Sequence, residues 1–108
     1  MVTHKEEKLR FHLKDIAGDF LSRHSNRTSL ITVTNVVLSS DFKSANILLS
    51  VLPKKSERVA LLFANRLRPE FKEYIKAHSR MRVLPQVTFG ADLGEQNRQR
   101  IDKLLETE

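Results

Sequence analysis

Nine cationic side chains fall within one stretch of the chain: Lys54, Lys55, Arg58, Arg66, Arg68, Lys72, Lys76, Arg80 and Arg82. Ammonium and guanidinium groups neutralise phosphates and displace their condensed counterions, so this stretch has the chemistry of polyanion binding. Three acids interrupt it, Glu57, Glu70 and Glu73. The resulting excess of six equals the net charge of the whole 108-residue chain. A polyanionic partner would therefore be met mainly by this segment. The plainer alternative is a solvated basic helix face with no partner.

Other chemistries find no support. The four histidines, His4, His12, His24 and His78, include no pair at the i, i+4 spacing of a helical zinc site. The absence of cysteine excludes disulfides, thiolate metal sites and a thiol nucleophile. Gly18, Gly90 and Gly94 form neither a phosphate-cradling loop nor the Gly-x-x-Gly clamp of single-strand RNA binders. Asp15, Asp19, Asp41 and Asp92 have ready roles on a helix face, in a turn or as a cap. The expectation is a protein that is not an enzyme and uses no cofactor, metal or small-molecule substrate. No apolar run approaches the roughly 18 residues of a membrane helix. Charges in MVTHKEEKLR occupy the place of a secretory signal's apolar stretch, so nothing argues for export.

These side chains need a scaffold, and the apolar pattern predicts one domain over residues 1–108. Leu9, Leu13, Ile16, Ala17 and Phe20 recur at helical spacing, with Thr3 and Glu6 as a capping box and His24-Ser25-Asn26 as the end. Leu30 to Leu38 is rich in β-branched residues and reads as a strand. Ile31 and Val33 share one face, but Val36 and Leu38 continue the series only if one extra residue lies near Thr34-Asn35, which predicts a β-bulge. Ser39-Ser40-Asp41 is a turn, and Ala45, Ile47, Leu49 and Val51 mark the returning strand of a hairpin, stopped by Pro53.

Ser56 is placed to cap a helix carrying Val59, Ala60, Phe63, Ala64 and Leu67 inward. Pro69 breaks it, and Phe71, Tyr74, Ile75 and His78 continue beyond, so Leu67, Arg68 and Pro69 form a structural kink. Met81, Val83, Val87 and Phe89 mark a third strand, in which Pro85 demands an edge position or a bulge. Asp92 is placed to cap a last short helix holding Ile101, Leu104 and Leu105. Phe11, Phe20, Phe42, Phe63, Phe71, Phe89 and Tyr74 read mostly as core, with Phe11 and Tyr74 the two open to base stacking. The class is α+β, with helices over one face of a three-stranded sheet.

Particular residues also resemble a known family. Val33-Thr34-Asn35-Val36-Val37-Leu38-Ser39-Ser40-Asp41-Phe42 is similar to the first strand and turn of ribosome-binding factor A. Ala45 to Leu52 resembles that family's second strand, and Arg80-Met81-Arg82 with Pro85, Val87 and Phe89 resembles the approach to its last. Asp92, Ile101, Leu104 and Leu105 match its closing pattern. The similarities run in order from about residue 9 to residue 105. Where the family carries glycine at its interhelical kink, this chain has Leu67-Arg68-Pro69, and of the family's Asp-Pro-Arg before the first strand only Arg27 is kept.

The resemblance implies a type II KH-like fold of order α-β-β-α-kink-α-β with a short C-terminal helix. It implies a cytoplasmic assembly factor that binds the free small (30S) ribosomal subunit and its 16S rRNA during late maturation, and that is linked to growth in the cold; a monomer is expected. RNA would be recognised by shape and backbone rather than base sequence. If about five to seven of the nine cations touch phosphate, the log–log salt slope of binding should be roughly −4 to −6. The competing reading is a basic KH-like adaptor for an acidic protein or another structured RNA, using either the cationic face or the uncovered sheet side with Thr32, Thr34, Asn46 and Ser50.

Overall fold

The apolar stripe of the first twenty residues becomes one wall of the core. In the computed structural model, which describes residues 4–24, 29–81 and 84–94, helix α1 (His4–His24) buries Leu13, Ile16, Ala17, Phe20 and Leu21. Its solvent side carries i, i+4 pairs, Arg10 with Glu6 at 3.2 Å and Arg23 with Asp19 at 3.7 Å. The expected capping box and helix end involve Thr3, Ser25 and Asn26, which lie outside the described residues, as does Arg27.

Strands β1 (Leu30–Leu38) and β2 (Ser44–Leu52) pair antiparallel. Val33 opposes Leu49 and Asn35 opposes Leu48, so Thr34 is the extra residue of a bulge. It turns Val33 and Val36 to the same buried face although three positions separate them. The hairpin turn is held by Asp41, whose Oδ1 accepts from Ser39 Oγ at 2.7 Å and Lys43 N at 3.0 Å. Phe42 takes a left-handed conformation (φ 59°) to close it.

A 3-10 turn (Lys54–Ser56), α2 (Glu57–Arg66) and α3 (Arg68–His78) then cross to β3 (Gln86–Ala91), which pairs parallel with β2. A crossover of this kind is what a parallel pair requires. The strand order is β1-β2-β3. Ala45, Ile47, Leu49 and Val51 face the helices, with Phe71, Ile75 and Phe89 completing the core. The Phe20, Phe71 and Phe89 rings meet in sequence at centroid distances of 5.0 and 5.6 Å.

Five expectations need correction. Ser56 makes no side-chain cap; the 3-10 turn leads in instead, with Ser56 N bonded to Pro53 O at 2.9 Å. Val59 does not point inward but is 69% exposed, because α2 rests on the small side chains Ala60 and Ala64. The third strand begins at Gln86, with Met81 packed against the core ahead of it; Pro85 has no N–H, and Gln86 N is the first to donate, to Lys43 O at 2.8 Å. His78 leaves the inner stripe and stacks on Tyr74 at 4.0 Å. Phe11 is not core: it is 74% exposed. Asp92 does precede helical residues Leu93 and Gly94, and its carboxylate accepts from Thr34 Oγ1. Val83, Ile101, Leu104 and Leu105 lie outside the described residues.

Candidate nucleic-acid interface

Pro69 organises this site through the hydrogen bond it cannot make. Lacking an N–H, it leaves the carbonyl of Asn65, four residues earlier, without its helical donor. Arg68 Nε donates to that carbonyl at 3.0 Å. Leu67 stands between the two helices with φ −87° and ψ 6°, its N–H turned to Ala64 O at 3.0 Å. Pro69 fits the first turn of α3, where a missing N–H costs nothing. The break therefore fixes one guanidinium edge and leaves the remaining Arg68 donors toward solvent.

The Asn65 side chain locks this break to the sheet. Its Oδ1 accepts Phe89 N–H at 2.9 Å, and its Nδ2 donates to Phe89 O at 3.0 Å and to Leu61 O at 3.0 Å. It stands in for a neighbouring strand on the outer edge of β3. On the far side of β3, the 39–44 turn delivers Lys43, whose carbonyl takes Gln86 N–H.

Between the helix break and the lead-in to β3 lies a groove of about 850 Å³. Its floor is apolar, from Phe71, Ile75, Leu84, Pro85 and Val87. Among the described residues its rim carries four cations, Lys43, Arg66, Arg68 and Lys72, and no carboxylate. A cationic rim without acids suits a polyanion lying along it, and an open trough admits a backbone rather than one small ligand. The α3 N-terminus at Arg68–Pro69 adds main-chain N–H groups on the same side.

The structure thus divides the nine sequence candidates. Arg66, Arg68 and Lys72 meet at the groove. Lys76 is exposed one turn beyond Lys72 and pairs with Glu73 at 3.4 Å. Arg80 is exposed past the end of α3. Arg58 is exposed at the opposite end of α2, about 12 Å from Arg66 along the helix axis, and Lys54 and Lys55 are exposed in the 3-10 turn before it. Arg82 lies outside the described residues. Sequence reasoning missed Lys43, which the turn brings in from outside the basic stretch, and Asn65. The signal for Asn65 was a polar residue next to the buried Ala64 and one turn beyond the half-buried Leu61.

Among the described residues no group of three metal-ligating side chains gathers, and no helix is long and apolar enough to cross a membrane.

The ribosome-binding factor A family model matches residues 4–105. Ribosome-binding factor A of Natranaerobius thermophilus is 30% identical over 104 residues, covering 94% of this chain and 79% of that protein. The crystal structure of ribosome-binding factor A from Thermus thermophilus superposes with a TM-score of 0.66 at 25% identity, over 77% of this chain and 91% of the other. The solution structure of a Thermotoga maritima protein described as a putative ribosome binding factor A gives 0.65 at 22% identity, over 77% and 82%. A Thermus thermophilus ribosome binding factor A homology model fitted into a cryo-EM map of a 30S complex gives 0.66 at 24% identity, over 75% and 88%. These neighbours share the KH-like α+β arrangement. The sequence matches span nearly the full length and the structural ones 75–77% of it, and the chain belongs to the ribosome-binding factor A family.

Proposed function

We propose that this protein binds the free small ribosomal subunit in the cytoplasm during late 16S rRNA maturation, seating an rRNA backbone in the groove at the helix break. The observation that carries the reading is the rim of Lys43, Arg66, Arg68 and Lys72, with no opposing carboxylate among the described residues. Family membership supports the choice of partner, since a relative of the same fold is described in a 30S complex. Lys76, Arg80 and Arg82 would extend the contact beyond the groove. Lys54, Lys55 and Arg58 would act at longer range, by attraction rather than seating. No step of chemistry is assigned: the protein acts as a monomer by occupying and shaping rRNA, without a cofactor.

The test is sedimentation of a lysate from the native host. The protein should travel with free small subunits and not with translating ribosomes, and raised salt should release it. Nuclease digestion should release it as well. A complex that survives complete RNA digestion would overturn the reading in favour of an acidic protein partner.

A further inference from the structure

The two outer strands of this sheet are treated differently. Strand edges expose unpaired main-chain groups and are ordinarily protected. On β3, Asn65 satisfies both the N–H and the carbonyl of Phe89. On the second half of β1, the bulge at Thr34 interrupts the edge, and Asn35 Oδ1 takes the outward Val36 N–H at 2.8 Å.

Among the described residues, the first half of β1 has no such device. Ser39 N donates to Ser44 O at the hairpin end, which makes 39/44, 37/46 and 35/48 the hydrogen-bonded pairs. Continued past the bulge, this alternation turns the N–H and C=O of Ile31 and Val33 away from β2. No partner meets them among the described residues. Strand β1 contains no charge and no proline to deter pairing.

A cleft of about 810 Å³ borders this edge. Ile31, Thr32 and Val33 line one side, and α1 lines another with Phe11, Asp15 and Asp19. From Phe11 to Ser22, another lining residue, α1 rises about 16 Å. That length matches about five residues of extended chain. Asp15 is exposed and has no ion-pair partner among the described residues, while Asp19 accepts the Tyr74 hydroxyl at 2.6 Å and pairs with Arg23 at 3.7 Å. Among the described lining residues, Lys14 is the single lysine against these two carboxylates. Asp15 is therefore the lining carboxylate left open to a cation, whereas the groove at the helix break carries cations alone.

We propose that the Ile31–Val33 edge and the α1 cleft bind an extended, basic segment of another protein, which adds to the sheet as a fourth strand. Its main chain pairs with Ile31 and Val33, a cationic side chain meets Asp15, and an apolar one covers Phe11. Backbone pairing supplies affinity, and the α1 ridge supplies the preference for positive charge. A second copy of this chain would pair edge to edge and bring like-charged Asp15 ridges toward each other, which disfavours it.

The probe is an acetylated, amidated hexapeptide of alternating valine and lysine, titrated into the full isotope-labelled chain. The amides of Ile31 and Val33 should shift and become slower to exchange, and that of Phe89 should not. Methylating the probe's backbone nitrogens should weaken binding about tenfold or more, since two or three hydrogen bonds are lost. Asp15→Lys, on the helix surface, should weaken it comparably without lowering the melting temperature, and a valine–glutamate hexapeptide should not bind. Binding indifferent to both changes, or shifts confined to other residues, would overturn the proposal. So would concentration-dependent protection of Ile31 and Val33 without peptide, which would assign the edge to a second copy.

Discussion

Asn65 bears more of this architecture than its residue type suggests. Its amide holds both main-chain groups of Phe89 and a carbonyl of its own helix. Replacing Asn65 with alanine leaves the Phe89 N–H and carbonyl unpaired in a partly buried site. The loss should be about 1–3 kcal/mol by denaturant unfolding. An unchanged midpoint would mean that β3 needs no such clasp. Asp41 acts in the hairpin turn that presents Lys43. Its hydrogen bonds from Ser39 Oγ first, and from Lys43 N second, hold its carboxyl below the ordinary range. A depressed folded-state value means stability that is complete at neutral pH and fades as pH falls through the carboxylate range. Asp41→Asn should therefore destabilise the protein at neutral pH and flatten the acid limb of its stability curve, read by thermal melts across pH. Side-chain patterns in the sequence showed Asp41 as a turn residue. The role of Asn65 was hidden, because its partner is 24 positions away and main-chain.

The elements were largely legible, and where they were not the reason is local. The bulge followed from apolar residues falling out of step on a strand with one buried face, so Thr34-Asn35 could be placed without coordinates. The helix break followed from Pro69, whose missing donor has no other remedy in a helix interior. The wrong facing of Val59 has a different origin. Helical spacing fits the stripe either through Val59 or through Ala60, and only contact with the sheet favours the small residue. Likewise the third strand's start depended on which N–H first reaches Lys43 O, a pairing fact rather than a pattern. The break also makes a prediction about Arg68, whose Nε is spent on Asn65 O. Arg68→Lys keeps the charge but lacks a fork that can cap the helix and grip phosphate together. Affinity for small subunits should fall about three- to tenfold while the salt slope stays the same. Unchanged affinity would show that Arg68 acts as a bare charge.

Across the whole molecule, charge is sorted by topology rather than by position in the chain. The crossover from β2 to β3 brings Arg66, Arg68 and Lys72 opposite Lys43, and sends Lys54, Lys55 and Arg58 to the far end of α2. The basic stretch was evident from composition, but its division into a groove and a remote group was not, because a helix break and a hairpin turn decide it. Four groove cations on phosphate correspond to a salt slope of roughly −3 to −4, and Lys76 or Arg80 would be needed to steepen it further. The most direct measurement compares two charge-reversed triples for co-sedimentation with free small subunits, each checked for an unchanged melting temperature. Arg66→Glu with Arg68→Glu and Lys72→Glu should abolish binding, whereas Lys54→Glu with Lys55→Glu and Arg58→Glu should leave most of it in place. Full binding by the first triple, or equal loss in both, would contradict the groove as the seat of the RNA.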